Sequence, residues 1–213
     1  MKNMKKILVL ALAALLLVAV GVGGTLAWLT DTTSEITNTF TKSDVDIEIS
    51  ESSETKQFKM IPGVDITKDP KVTVKAGSEA CFVFVKITEA GEVSYNEGTT
   101  TVTKRFDDFL TYVLASGWEF LDTTKYGNKT DNANDTYVIY KTQAATESDT
   151  ALQILANDKV SVKDSVNKAM MDALALDESE YPTLTFQAWA IQQANGTDTI
   201  FTPAQAWEAL GTP

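Results

Sequence analysis

The stretch Ala80 to Thr88, ACFVFVKIT, sets the strictest condition on any fold for this chain. Its alternate positions are apolar on both faces, so it predicts a strand covered on both sides, at the centre of a sheet. Cys81 shares one face with Val83, Val85 and Ile87. A lone thiol in that company is expected to be buried and structural, with an interchain bridge as the alternative.

The segments around it also read as strands. Val45 to Ile49 alternates strictly. Gln57 to Ile61 is a short run stopped by Pro62-Gly63. Val72 to Val74, Trp118 to Leu121, Thr136 to Thr142, Ala151 to Ala156 and Leu184 to Gln192 follow, and Phe106 to Ala115 reads as strand or helix. Asp122 to Asp135 is polar and predicts a loop or hairpin tip. Val162, Val166, Ala169, Met170, Ala173 and Leu174 keep helical spacing, with Ser161-x-x-Asp164 as a cap. A two-turn helix is predicted near the end, with Thr202 at N-cap, Pro203 at N1 and Gly211 just past the C-terminus. Together these predict a mainly β chain: an antiparallel, jelly-roll-like β-sandwich with short helical insertions.

Residues 1–27 read as a secretory signal peptide. Lys2, Lys5 and Lys6 precede an apolar run from Ile7 to Val22. Gly23-Gly24 breaks the run, and Thr25 and Ala27 place small residues at −3 and −1, predicting cleavage between Ala27 and Trp28. An uncleaved anchor is the rival reading. No cysteine lies near the cut, as a lipoprotein would need, and Trp207 to Pro213 carries no wall-sorting motif. The chain has a net charge of −11, and the only charges of residues 1–27 are three lysines, so residues 28–213 carry −14. That excludes nucleic acid as an expected partner and disfavours adsorption to anionic lipid.

From Trp28 to Phe40 the alternation continues. One face carries Trp28, Thr30, Thr32, Ser34, Ile36, Asn38 and Phe40, uncharged and with three large apolar side chains. The other carries Asp31 and Glu35 among Leu29 and threonines. This is the period of a half-buried strand, and extended it would reach roughly 40 Å. It can fold back on its own sheet or add to a neighbour's as a donated strand. Burying Trp28, Ile36 and Phe40 contributes about 1.5–3 kcal/mol each. Ordering the backbone costs about 1–2 kcal/mol per residue, so ladder hydrogen bonds and a preformed groove must supply the rest. A head-to-tail contact of this kind does not close and builds a filament. Residues 28–41 are therefore expected to be an N-terminal donor segment, and residues 42–213 the sandwich domain.

Enzymatic chemistry finds little support. The chain has no histidine, so an H-E-x-x-H zinc site is impossible, and its single cysteine rules out an intrachain disulfide. Asp131 to Asp135 suggests a calcium loop, but Ala133 takes the third position and the glycine and distal glutamate are missing. Ser165-Val166-Asn167-Lys168 matches S-x-x-K without the partner motifs S-D-N and K-T-G. Asp107/Asp108 and Glu178/Glu180 read as exposed charges. No catalytic residue, cofactor or metal is expected.

Several stretches resemble the TasA/camelysin family of secreted Gram-positive proteins. They are Gly23 to Asp31 (GGTLAWLTD), Asn38 to Thr41, Val45 to Ile47, Met60 to Gly63, Lys68 to Val72 and Phe82 to Ile87; Ala188 to Gln192 and Ala206-Trp207 add weaker matches. The resemblance implies a jelly roll exported through a SipW-type signal peptidase. It also implies a biofilm-matrix fibre or surface-filament subunit that polymerises with itself by donating Trp28 to Thr41, with other matrix or cell-surface proteins as further partners. Two alternatives stand beside it: a camelysin-like metalloprotease, which the lack of histidine disfavours, and a monomeric surface adhesin with the strand folded back. Residues 90–180 match the family least.

Overall fold

ACFVFVKIT lies at the centre of the largest sheet. In the computed structural model, which describes residues 44–52, 58–130, 135–194 and 200–211, it forms most of the ten-residue strand β4. The calcium-loop residues 131–134 and the whole of 1–43 lie outside the described residues, and with them the cleavage site and the donor segment.

In chain order the strands are β1 (Ile47–Ser50), β2 (Asp65–Thr67), β3 (Lys71–Val74), β4 (Cys81–Ala90), β5 (Glu92–Glu97) and β6 (Thr100–Arg105). They continue as β7 (Leu110–Thr111), β8 (Glu119–Phe120), β9 (Thr136–Gln143), β10 (Thr150–Gln153), β11 (Lys159–Val162) and β12 (Thr183–Gln192). Short helices α1 (Phe106–Phe109), α2 (Thr123–Tyr126), α3 (Lys168–Leu174) and α4 (Pro203–Ala209) interrupt them. Every strand pair is antiparallel. The sheets run β12-β4-β9-β8, β1-β3-β10 and β2-β11-β7, with β5-β6 as a separate hairpin. The chain is thus mainly β and antiparallel.

The two faces of β4 explain its composition. Cys81, Val83, Val85 and Ile87 point into one core with Tyr137 and Ile139 of β9, Val72 and Val74 of β3, and Val160 and Val162 of β11. Phe82 and Phe84 point the other way, into a second cluster with Leu121, Val138, Ala206 and Trp207. Cys81 is buried, and desolvation pushes its thiol up to about 11, which keeps it protonated and unreactive.

Several expectations need correction. The predicted helix from Val162 begins only at Lys168. Ser161 and Val162 belong to β11, and Asn167, not Ser161, is the N-cap, accepting from the Met170 N–H at 3.1 Å. Its apolar spacing was shared between a strand end and a helix, and β pairing with Thr111 and Leu110 captured the first part. Phe106 to Ala115 is neither one strand nor one helix: it opens as α1 and continues as β7. Phe58 to Ile61 forms no strand, and the Asp122 loop holds a helical turn capped by the Asp122 carboxylate. The late helix forms as expected, with the Thr202–Gln205 capping box and Gly211 at φ +81°.

Candidate functional site

Two features concentrate functional potential. The first is an open edge. β12 pairs with β4 on one side only, and among the described residues no strand pairs with its other side. Its ten residues, TLTFQAWAIQ, carry no charge and no proline. The other outer strands of the three- and four-stranded sheets are two to four residues long, which blunts them. On the core side of β12, Leu184, Phe186, Ala188 and Ala190 pack against the core but remain only half-buried. At its start a groove of about 610 Å³ opens, lined by Phe58, Met60, Ile66, Val160, Tyr181 and Leu184 among others. Lys59, Lys68 and Glu178 also line it.

The second feature is a buried polar cluster. The alternation of β4 carries one step past Ile87 to Glu89, whose side chain is 0% exposed. Glu89 Oε1 accepts from the Tyr112 hydroxyl at 2.5 Å and from Lys129 Nζ at 2.6 Å. Tyr112 has one proton to give, so it accepts from Tyr137 OH at 2.6 Å. Glu89 Oε2 is buried with no hydrogen-bond partner among the described residues. Asp107, also buried, lies beyond the lysine: its Oδ1 is 3.7 Å from Lys129 Nζ and its Oδ2 accepts from Lys163 Nζ at 3.2 Å. The Lys129 ammonium sits 4.3 Å from the centre of the Tyr112 ring. Gly127 sets the loop that carries Lys129. At φ +86°, a Cβ there would meet the Thr136 carbonyl oxygen, so only glycine fits. Asp107 and Asp108 are thus not simple exposed charges: Asp107 is buried, and Asp108 accepts from the Arg105 N–H at 2.8 Å to close the first turn of α1.

Burial, first of all, pushes the Tyr112 and Tyr137 hydroxyls far above the ordinary phenol range. An unfolded tyrosine ionises near pH 10. The unfolded chain therefore sheds these protons before the folded one does. Their contribution is intact below about pH 10 and is lost above it. Denaturant midpoints are expected to stay level up to about pH 10 and to fall beyond it; a flat profile to about pH 11.5 would contradict the buried phenols. Tyr112→Phe removes a donor from a buried carboxylate, and is expected to lower unfolding free energy by about 1–3 kcal/mol in a urea titration.

The S-x-x-K lysine, Lys168, is exposed and pairs with Asp172 at 2.6 Å, a helix-surface contact. Among the described residues no three His, Cys, Asp or Glu side chains gather as a metal site, and no helix is long and apolar enough to cross a membrane. Sequence reasoning missed Glu89, Tyr112, Lys129 and Asp107. Only Glu89 left a signal, as the next inward position of an apolar strand. Comparison with protein-family models, curated proteins and solved structures finds no match.

Proposed function

We propose that this chain is a secreted structural subunit of an extracellular fibre or surface filament, of the TasA/camelysin kind. It polymerises head-to-tail when residues 28–41 of one copy add to the sandwich of the next. In this reading residues 1–27 are the signal peptide, a SipW-type peptidase exposes Trp28, and the sandwich is a jelly roll.

The observation that carries the proposal is the edge of β12, unpaired among the described residues, beside an open apolar groove. A ten-residue uncharged edge is a template for another strand, and soluble proteins usually shorten, charge or cover one. Its span, about 33 Å, accommodates most of the donor segment. The uncharged face of that segment, Trp28, Ile36 and Phe40, has the chemistry of the half-buried Leu184, Phe186 and Ala188.

The test is assembly of the mature chain beginning at Trp28. Filaments that lengthen with protein concentration, seen by negative-stain electron microscopy, are expected; a chain that stays monomeric at every concentration overturns the proposal. Leu184→Lys puts a charge at the mouth of the groove. Leu184 is only half-buried and a lysine stem can reach solvent, so melting should change little. Filament formation should be suppressed, and unchanged filaments would place the docking surface elsewhere.

A further inference from the structure

We infer that Lys129 and Asp107 condense to an intramolecular isopeptide bond, with Glu89 as the proton carrier. A chain with one cysteine has no disulfide to lock it. It does hold the Lys129 amine 2.6 Å from one buried carboxyl group, that of Glu89, and 3.7 Å from another, that of Asp107. The amine nitrogen is 3.7 Å from Asp107 Oδ1, and bond formation needs it to close to about 3–3.5 Å from the carboxyl carbon. Glu89 Oε1 already accepts from that nitrogen at 2.6 Å. Glu89 Oε2 is buried without a hydrogen bond among the described residues, so it can take up a proton without breaking either existing contact. An unpartnered buried carboxylate oxygen is costly to keep, and proton transfer gives it a use.

The step balances without any co-reactant. A proton passes from the Lys129 ammonium to Asp107 Oδ1, the carboxylate oxygen 3.7 Å from it, leaving a free amine and a carboxylic acid. The amine lone pair attacks Asp107 Cγ and a C–N bond forms. The carbonyl π electrons move to Oδ2, where Lys163 Nζ, 3.2 Å away, stabilises the developing negative charge. Glu89 takes a proton from the nitrogen as it bonds, then returns it to the Oδ1 hydroxyl. That group leaves as water as the C=O re-forms. One ammonium and one carboxylate become one amide and one water. The Tyr112 and Tyr137 hydroxyls, held as phenols, keep Glu89 in place throughout. The rings of Tyr112 and Phe106, 4.3 and 5.9 Å from Lys129 Nζ, help to screen it from solvent.

Such a bond would tie α1 to the loop before β9, a link that reducing agents cannot open. It depends only on the buried cluster, so it stands whether or not the chain forms fibres.

The test is the intact mass of the purified, folded chain under denaturing conditions. The wild type is expected to be lighter by one water than its sequence requires. Proteolytic mapping should recover the peptide holding Asp107 joined to the peptide holding Lys129. Glu89→Gln and Lys129→Arg should both run at full sequence mass. Wild-type protein at full mass overturns the inference, whatever the variants do. So does a water loss that maps to any other pair. A Glu89→Gln chain that is still one water lighter removes Glu89 from the chemistry and overturns its role.

Discussion

Removing residues 28–41 is expected to leave a folded, monomeric protein that no longer forms filaments. Residues 42–213 form a compact unit with its own interior. Among the described residues, β4, β9, β3, β11, α1, α3 and α4 all supply buried side chains to the two apolar clusters. The truncated chain should therefore melt close to the full-length monomer. Assembly, by contrast, would lose the whole donated ladder and the roughly 1.5–3 kcal/mol from each of three large apolar side chains. In the proposed assembly each subunit joins the next through one such contact, so loss of the segment should abolish growth rather than slow it. Size exclusion and electron microscopy read the two effects separately. Filaments of normal length would remove the segment from assembly. A truncated chain that unfolds would mean that residues 28–41 complete their own sandwich, as in a monomeric adhesin.

How much of this fold the sequence exposes depends on how local each signal is. Strand β4 was legible because Cys81 to Val85 allow no solvated face, and only a sheet centre satisfies that. The cap of α4 was legible because Thr202, Pro203 and Gln205 act within one turn. The β5-β6 hairpin was not. Its residues, EVSYNEGTTTVTKR, are mostly polar, and it is held by cross-strand contacts such as Ser94 Oγ to Thr103 Oγ1 at 2.8 Å. β11 was hidden for another reason: KVSV alternates, but it also opens a helical spacing, and the choice is made by β2 and β7, about 95 and 50 residues upstream.

The buried cluster was still less legible. Lys129 and Asp107 are charged residues in polar contexts, and their usual place is the surface. What brings them inward is tertiary: α1 turns Asp107 under the end of β4, and Gly127 turns the chain to aim Lys129 at Glu89. Glu89 could have been found by carrying the inward period of Val83, Val85 and Ile87 one step further. The side of β12 that no described strand pairs was half legible. Its apolar period was plain, but nothing in TLTFQAWAIQ says whether a second strand covers it.

Trp207→Ala is expected to cost about 3–5 kcal/mol, the largest loss of any single truncation on the outer face of the sheet. The indole is 3% exposed and sits where three elements meet. Its ring lies 5.2 Å from Phe84 of β4, 5.4 Å from Trp189 of β12 and 6.2 Å from Tyr126 of α2. The Trp189 and Tyr126 contacts are edge-to-face, an arrangement that adds to simple burial. Two turns of helix cannot hold themselves in water, so α4 depends on this anchor to stay docked. The alanine chain should therefore show a lower denaturant midpoint, and protease should cut α4 while the inner core stays protected. Trp207→Phe should recover much of the loss, because a ring still reaches Phe84. A Trp207→Ala chain within about 1 kcal/mol of wild type would mean that the outer cluster contributes little. The same anchor bears on assembly: Trp189 projects from the free-edged strand toward the helix, so undocking α4 should loosen β12 on its outer face. Filament formation by the alanine chain should then fail at temperatures where its inner core is still folded.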